Sequence, residues 1–277
     1  MDLHTVETYR VARTRSDLRL APGERFVAGG TWMYSEPQPG VTGLVDLTGL
    51  GWDAIEASDA GLRIGATCTI AALAAYGRAT GHPLFDQCAN SLLASRKVWN
   101  SATVGGNVVR AFAAGAMVSL AVALDGEAVV RTADGDLVRL PVAAFVIGDG
   151  ENVLGPGDVL RAIDLPARAL RGRTAFRRIA LAELGRSGAV LTGRLDEDGG
   201  VTLGITAATE RPTVLRFPGV PGAGELADAL DGVGGWYTDP FGAADWRRAV
   251  AGVLLEEIRG ELGAPAAGGP VAGGLVA

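Results

Sequence analysis

The sequence predicts a mixed chain of the α/β or α+β class, 277 residues long and in two parts that meet near residues 165–175. Three observations lead there. Short apolar runs of strand length end in glycine-rich turns. They alternate with segments whose apolar residues recur at helical spacing. From about residue 172 the texture changes to consecutive strand-like runs closed by one long helix. The composition, 48% hydrophobic and 20% charged, is ordinary for a globular protein of one large domain or two ordinary ones.

Taken in order, "RFVAGGTWM" reads as a strand running into a Gly-Gly turn, and "GLVDLTGL" as a second short strand with a turn. "GLRIGATCTIAALAAYGRATG" reads as a strand followed by a helix that Thr69 caps and that stops before Gly81. "PLFDQCANSLLASRKVW" has the apolar spacing of one further helix. "NSATVGGNVV" holds a second Gly-Gly turn, and a largely apolar helical run follows it. Two β-segments joined by the hairpin signal "ADGD" come next, then the strand "DVLRAIDLP", ended by proline. In the second part, "TAFRRIALAEL" and "SGAVLTGRLDEDGGVTLGITAAT" give strands with a hairpin at "DEDGG". "WRRAVAGVLLEEIRGEL" is a terminal helix with Val250, Val253, Leu254 and Ile258 as its apolar positions. The tail from 263 to 277 is small-residue, Pro/Gly-rich and uncharged, and is expected to be disordered.

Charge and cysteine usage narrow the function. A net charge of −6 opposes nucleic acid or an anionic membrane as partner, since both call for a positive field. No apolar run reaches the roughly 20 residues that span a bilayer. The N-terminus lacks the continuous apolar stretch of a secretory signal, so a cytoplasmic location is expected. The two cysteines, Cys68 and Cys88, and the two histidines, His4 and His82, show no C-x-x-C or H-x-x-H spacing. An iron–sulfur cluster or zinc site held by this chain alone is therefore not expected. Both cysteines read as buried thiols, and His82 as a helix-end residue.

Two motifs carry chemistry, "AGGT" at 28–31 and "TVGGN" at 103–107. Glycine lets backbone N–H groups approach an oxyanion with no Cβ in the way. It also reaches positive φ, where successive N–H groups converge into an anion nest. Thr31 and Thr103 each offer a hydroxyl, while Asn107 could bond a phosphate or brace the loop. Neither turn is a P-loop or a G-x-G-x-x-G fingerprint, and pattern alone leaves a structural turn and a phosphate cradle equally open.

The ordered set "RFVAGGTWM", "GLVDLTGL", "LRIGATCTIAALA", "NSATVGGNVV" and "ALDGEAVV", together with the closing "TDPFGAADWRRAVAGVLLEEI", resembles one family over residues 20 to 260. It is the FAD-binding subunit or domain of the molybdenum hydroxylases, the xanthine dehydrogenase and carbon monoxide dehydrogenase type. The resemblance implies an α+β chain. Its FAD-binding domain, of the vanillyl-alcohol oxidase type, would cover residues 1–168 in two subdomains split near 55–60, with a smaller α+β C-terminal domain over 172–262. It implies FAD as cofactor. The first loop (Phe26, Val27, Ala28, Gly29, Gly30, Thr31 and Trp32, through Met33) would wrap the diphosphate, and Thr103, Gly105, Gly106 and Asn107 would complete the grip. Val109 and Leu160 would lie near the isoalloxazine. Arg177 would be either a basic residue near the flavin or a solvated strand charge. Molybdopterin and 2Fe-2S clusters are expected on partner chains, a large and a small subunit, in a dimer of heterotrimers. Electrons would pass from the iron–sulfur subunit through FAD to NAD, oxygen or a quinone.

The sequence also departs from that family. Phe112, Ala113 and Ala116 stand where relatives carry a polar residue, a proline and an aspartate that bonds the ribityl chain. Trp32 stands where the first loop is often polar or acidic; it would either stack on the cofactor or lie at a surface or interface. Losing one charged hydrogen bond costs roughly 1.5–3 kcal/mol, about one to two decades of affinity. Two other functions compete with an electron-transfer flavin subunit: a structural subunit whose flavin site has degenerated, and a stand-alone flavin oxidase. The short length and the lack of a substrate-capping region oppose the second.

Overall fold

Near the N-terminus, three strands pair in parallel: β1 (Thr8–Val11), β2 (Glu24–Val27) and β3 (Gly43–Asp46), in the order β1-β3-β2. Their register sets Val27 beside Asp46 and so fixes where the chain leaves β2. The computed structural model describes residues 3–265. Residues 266–277, most of the tail expected to be disordered, lie outside the described residues.

A second sheet is antiparallel and has five strands. The chain enters it through β4 (Ile55–Ser58) and β5 (Gly61–Gly65) and then runs through helices. Thr69 caps α1 (Ile70–Thr80) by accepting from the Ala72 amide, and Gly81 ends the helix in the left-handed conformation. The next stretch differs from the single helix its spacing predicts. It is α2 (Pro83–Ser91), a break over 92–95, and the short α3 (Arg96–Trp99), which Ser95 caps anew through the Val98 amide. The second Gly-Gly pair is likewise not a turn. It forms the first turn of α4 (Val104–Arg110), capped by Thr103. α4 stops at Ala111, a non-glycine residue at positive φ.

The helix that follows, α5 (Ala116–Ala123), is buried along its whole length. A helix apolar all round has to be surrounded, and this one packs on α2 and α4 on one side and on the C-terminal sheet on the other. The second sheet then takes up β6 (Glu127–Arg131) and β7 (Leu137–Pro141), joined by the turn at "ADGD". The short α6 (Val142–Phe145) and the hairpin of β8 (Val146–Gly148) and β9 (Glu151–Asn152) precede the sheet's central strand, β10 (Val159–Pro166).

After α7 (Ala167–Arg171) comes an antiparallel meander of β11 (Arg173–Ile179), β12 (Ala189–Leu195), β13 (Val201–Thr206) and β14 (Thr213–Phe217). β13 is buried along its length; α5 packs on β12 and β13, and a terminal helix packs on β11 and β12. α8 (Ala223–Asp231) leads to that helix, α9 (Ala244–Gly263). Its buried stripe is Arg247, Ala251, Leu255, Ile258 and Leu262, and Val253, expected to face inward, is 63% exposed. Ile258 is buried and Val250 and Leu254 pack partly buried against the same core, while a buried arginine adds a position that apolar counting passes over. Among the described residues, no helix is long and apolar enough to cross a membrane.

Candidate functional site

Where β2 ends, the chain bends through Ala28 and Gly29 and turns at Gly30, whose φ is +67°. Each glycine here is required. A Cβ on Gly29 would collide with the backbone carbonyl of Ser101, and one on Gly30 with the Tyr34 ring. The first loop is therefore pressed against the segment that leads into α4. Among the described residues, none of the amides of Gly29, Gly30, Thr31 and Trp32 donates to a protein acceptor. A run of unengaged N–H groups with a glycine at positive φ is an anion nest.

The second Gly-Gly segment behaves differently from a cradle. The Val104 amide donates to the Cys68 carbonyl at 2.8 Å, Gly105 to the Ala66 carbonyl at 2.9 Å, and Asn107 to the Thr103 carbonyl at 3.0 Å. The Gly106 amide donates to Thr103 Oγ1 at 3.1 Å. Its backbone donors are spent, so the segment offers a phosphate no nest of its own. Gly105 serves packing instead: a Cβ there would stand 2.5–2.7 Å from Ala66. Asn107 braces, its Oδ1 accepting from the Met117 amide at 2.8 Å and so tying α4 to the start of α5.

Between the two segments lies a cavity of about 590 Å³. Phe26, Val27, Ala28, Gly29, Gly30, Thr31 and Trp32 line one wall, and Thr103, Gly106, Asn107 and Val109 another. A smaller adjoining pocket of about 110 Å³ shares Phe26 to Ala28, Gly106 and Val109, and adds Gly105 and Leu160. The fold thus gathers every expected site residue but one, from three distant stretches of chain.

Arg177 is the exception. Its guanidinium is held by Glu257 at 2.7 Å and Glu261 at 2.8 Å, both on α9, and it lines neither pocket. Two carboxylates one helical turn apart capture it on the outer side of the C-terminal sheet. Replacing Arg177 by glutamine should therefore leave FAD affinity within about twofold and cost about 0–1 kcal/mol, the usual range for exposed pairs. Flavin titration and denaturant unfolding check this; a tenfold loss of affinity would return Arg177 to the cofactor.

Several cavity residues escaped sequence reasoning. Arg110 and Arg186 line the cavity together with Phe112, as do the apolar Leu92, Leu93, Ala94 and Val98. The Trp32 and Phe112 rings meet edge to face at 4.7 Å, and the Arg110 guanidinium lies 4.1 Å from Phe112 and 4.8 Å from Trp32. Burial pushes the Arg110 guanidinium below the ordinary arginine value, with Asp149 and Glu36 only partly opposing. Arg186 arrives from the β11–β12 loop, and no motif announces it. Ala113 and Ala116 are core residues, 4% and 0% exposed, and line neither pocket.

The arrangement can hold an elongated ligand with a negatively charged middle, its anion on the 29–32 amides and its apolar parts along Leu92–Ala94 and Val109–Leu160. That chemistry suits a flavin dinucleotide. A family described as the FAD binding domain in molybdopterin dehydrogenase matches residues 6–168. The aldehyde oxidoreductase FAD-binding subunit PaoB of Escherichia coli (strain K12) is 36% identical over 113 residues, covering 37% of this chain and 35% of that one. The match thus spans about a third of that relative's length. A chain in the crystal structure of quinoline 2-oxidoreductase from Pseudomonas putida 86 superposes with a TM-score of 0.76 at 19% identity, over 92% of this chain and 96% of that one. One from reconstituted CO dehydrogenase of Oligotropha carboxidovorans gives 0.78 at 20% identity, over 93% and 97%. At identities this low the likeness to the two solved structures is one of fold.

Proposed function

Because this chain belongs to the family of FAD-binding domains of molybdopterin dehydrogenases, we propose that it is the flavin-bearing subunit of a multi-chain molybdenum hydroxylase. The observation that carries this reading is the set of unengaged amides of Gly29 to Trp32, beside a cavity of about 590 Å³. Bound FAD supplies one- and two-electron redox chemistry, and the protein supplies position and electrostatics. The 29–32 amides fix the diphosphate. Val109 and Leu160 would give the isoalloxazine an apolar seat, while Thr103 caps α4 and Asn107 ties it to the start of α5. No side chain here need act as general acid or base.

In the same reading, the subdomain arrangement is of the vanillyl-alcohol oxidase type, with residues 1–168 as the FAD-binding domain and 172–262 as a C-terminal domain. Electrons come from an iron–sulfur small subunit, which a molybdopterin large subunit supplies, and leave to NAD, oxygen or a quinone. The assembly is a dimer of heterotrimers. A second reading draws on Ala113 and Ala116, which offer no ribityl contact: a structural subunit of the same complex with a degenerate flavin site.

Acid-released flavin, measured on the complex purified with its native partners, tests both. About one FAD per chain is expected. A complex with molybdenum and clusters but only traces of FAD would overturn the flavin reading and leave the structural one.

A further inference from the structure

Two large cavities in this protein differ in how their arginines are used. The first is lined by Arg63, Arg139 and Arg168 and measures about 630 Å³. All three are already paired, Arg63 and Arg139 with Asp164, and Arg168 with Asp125. That surface is electrostatically complete and asks for no ligand.

The cavity beside the first glycine loop is the reverse. Arg110 and Arg186 both line it, and among the described residues neither has a carboxylate within salt-bridge distance. Arg110 Nε and Arg186 Nη2 are buried without a hydrogen-bond partner. The nearby Asp149 is engaged, its Oδ1 accepting from the Ala113 amide at 2.8 Å. The two guanidiniums converge on the Phe112 ring, Arg110 at 4.1 Å and Arg186 at 5.5 Å, while Phe241 backs Arg186 at 5.2 Å. The aromatic faces hold both cations in place but satisfy none of their in-plane donors. Buried, unpaired guanidinium donors are costly unless something negative completes them.

We propose that Arg110 and Arg186 form a two-armed clamp on the diphosphate of FAD, one arm from α4 and the other from the β11–β12 loop. This rests on the flavin reading above and goes beyond it by assigning the charge match. Position singles out the diphosphate: Trp32, whose ring lies 4.8 Å from the Arg110 guanidinium, belongs to the anion loop itself. Guanidinium forks suit phosphate oxygens. The clamp also offsets the missing aspartate at Ala116, because it strengthens the dinucleotide's middle where the ribityl contact is absent. Arg186 draws the C-terminal sheet into the site, so cofactor and the packing of the two parts become linked.

The test is fluorescence titration of the full-length, flavin-stripped chain with FAD, FMN and riboflavin, comparing wild type with R110Q, R186Q and the double variant. Each single variant should weaken FAD by about tenfold or more, and the pair by about a hundredfold, as the loss of charged hydrogen bonds implies. Riboflavin affinity should stay within about twofold, and FMN should fall in between. Added salt should weaken FAD binding less in the variants than in wild type. R110K and R186K, which keep the charge and lose the fork, should recover part of the affinity and guard against a variant that fails to fold. Equal losses for riboflavin and FAD would place the guanidiniums at the ring and overturn the diphosphate clamp. FAD affinity unchanged in folded variants would overturn it as well, with the flavin reading intact. A wild-type chain and complex that take up no FAD would overturn both.

Discussion

Gly29→Ala is expected to lower FAD affinity by at least about tenfold and to destabilise the chain by about 1–3 kcal/mol. The reason is local and steric. A Cβ at this position meets Ser101 O and C and the Ala102 Cα, which are backbone atoms of the segment entering α4. Backbone cannot rotate away as a flexible side chain can, so the loop or the helix entrance has to shift. Either shift moves the amides of Gly29 to Trp32 off the anion, and each hydrogen bond to a charged group is worth roughly 1.5–3 kcal/mol. Gly224→Ala is the control. It lies in the first turn of α8, a Cβ there meets open space, and alanine is the better helix former. It should leave both affinity and stability unchanged or slightly improved. Flavin titration and thermal unfolding of the two variants decide the matter. A folded Gly29→Ala chain with wild-type FAD affinity would reduce "AGGT" to an ordinary turn.

Arg194→Met should cost about 3–5 kcal/mol, the usual consequence of removing one member of a buried ion pair. Arg194, on β12, is fully buried, yet it reaches across to the end of α5. It donates to the Ala123 carbonyl at 2.5 Å, to Asp125 at 2.6 Å, to Asp196 at 2.6 Å and to Thr202 Oγ1 at 3.3 Å. Methionine fills comparable volume but leaves that carbonyl and two carboxylates short of donors. Arg216 and Arg168 also reach Asp125, though both are more than half exposed and so compensate weakly.

The same cluster sets an acid limit. Burial alone would raise the Asp125 carboxyl, but hydrogen bonds from Arg216, Arg194 and Arg168, with the Arg194 charge, outweigh it and hold the pKa at about 2. A carboxyl depressed on folding adds stability that is complete above its unfolded value of 3.8 and drains away as pH falls through about 2. That is about 2 kcal/mol from this one group. Denaturant unfolding between pH 5 and pH 2 should show the decline in wild type and a flatter profile in Asp125→Asn. Equal slopes would remove Asp125 from the acid limit, and an Arg194→Met loss below about 1 kcal/mol would show the cluster to be inessential.

Local rules made several elements legible in the sequence. Thr69 and Gly81 bound α1 because a hydroxyl cap and a left-handed glycine act within a few residues of chain. The hairpins at "ADGD" and "DEDGG" were legible for the same reason. The bend at 28–31 was legible as well, since the positive φ of Gly30 is a property of glycine itself. "TVGGN" was misread as a turn because glycine marks close approach as readily as it marks a bend. Which one applies depended on Ala66, some forty residues earlier in the chain.

What the sequence by itself determined, then, is the order of elements, the first glycine bend and the family, all of which rest on short-range chemistry and motif order. Only the tertiary structure decided the partners of the long, charged side chains. Arg177 went to Glu257 and Glu261, Arg194 to the end of α5, and Arg110 and Arg186 to one cavity wall. An arginine spans several ångströms and pairs with whatever the fold brings near, and residues 110 and 186 come from different layers of the protein. No periodicity or spacing along the chain encodes that meeting. It follows from how α5 packs between α2 and α4 and the C-terminal sheet, which is a property of the whole core.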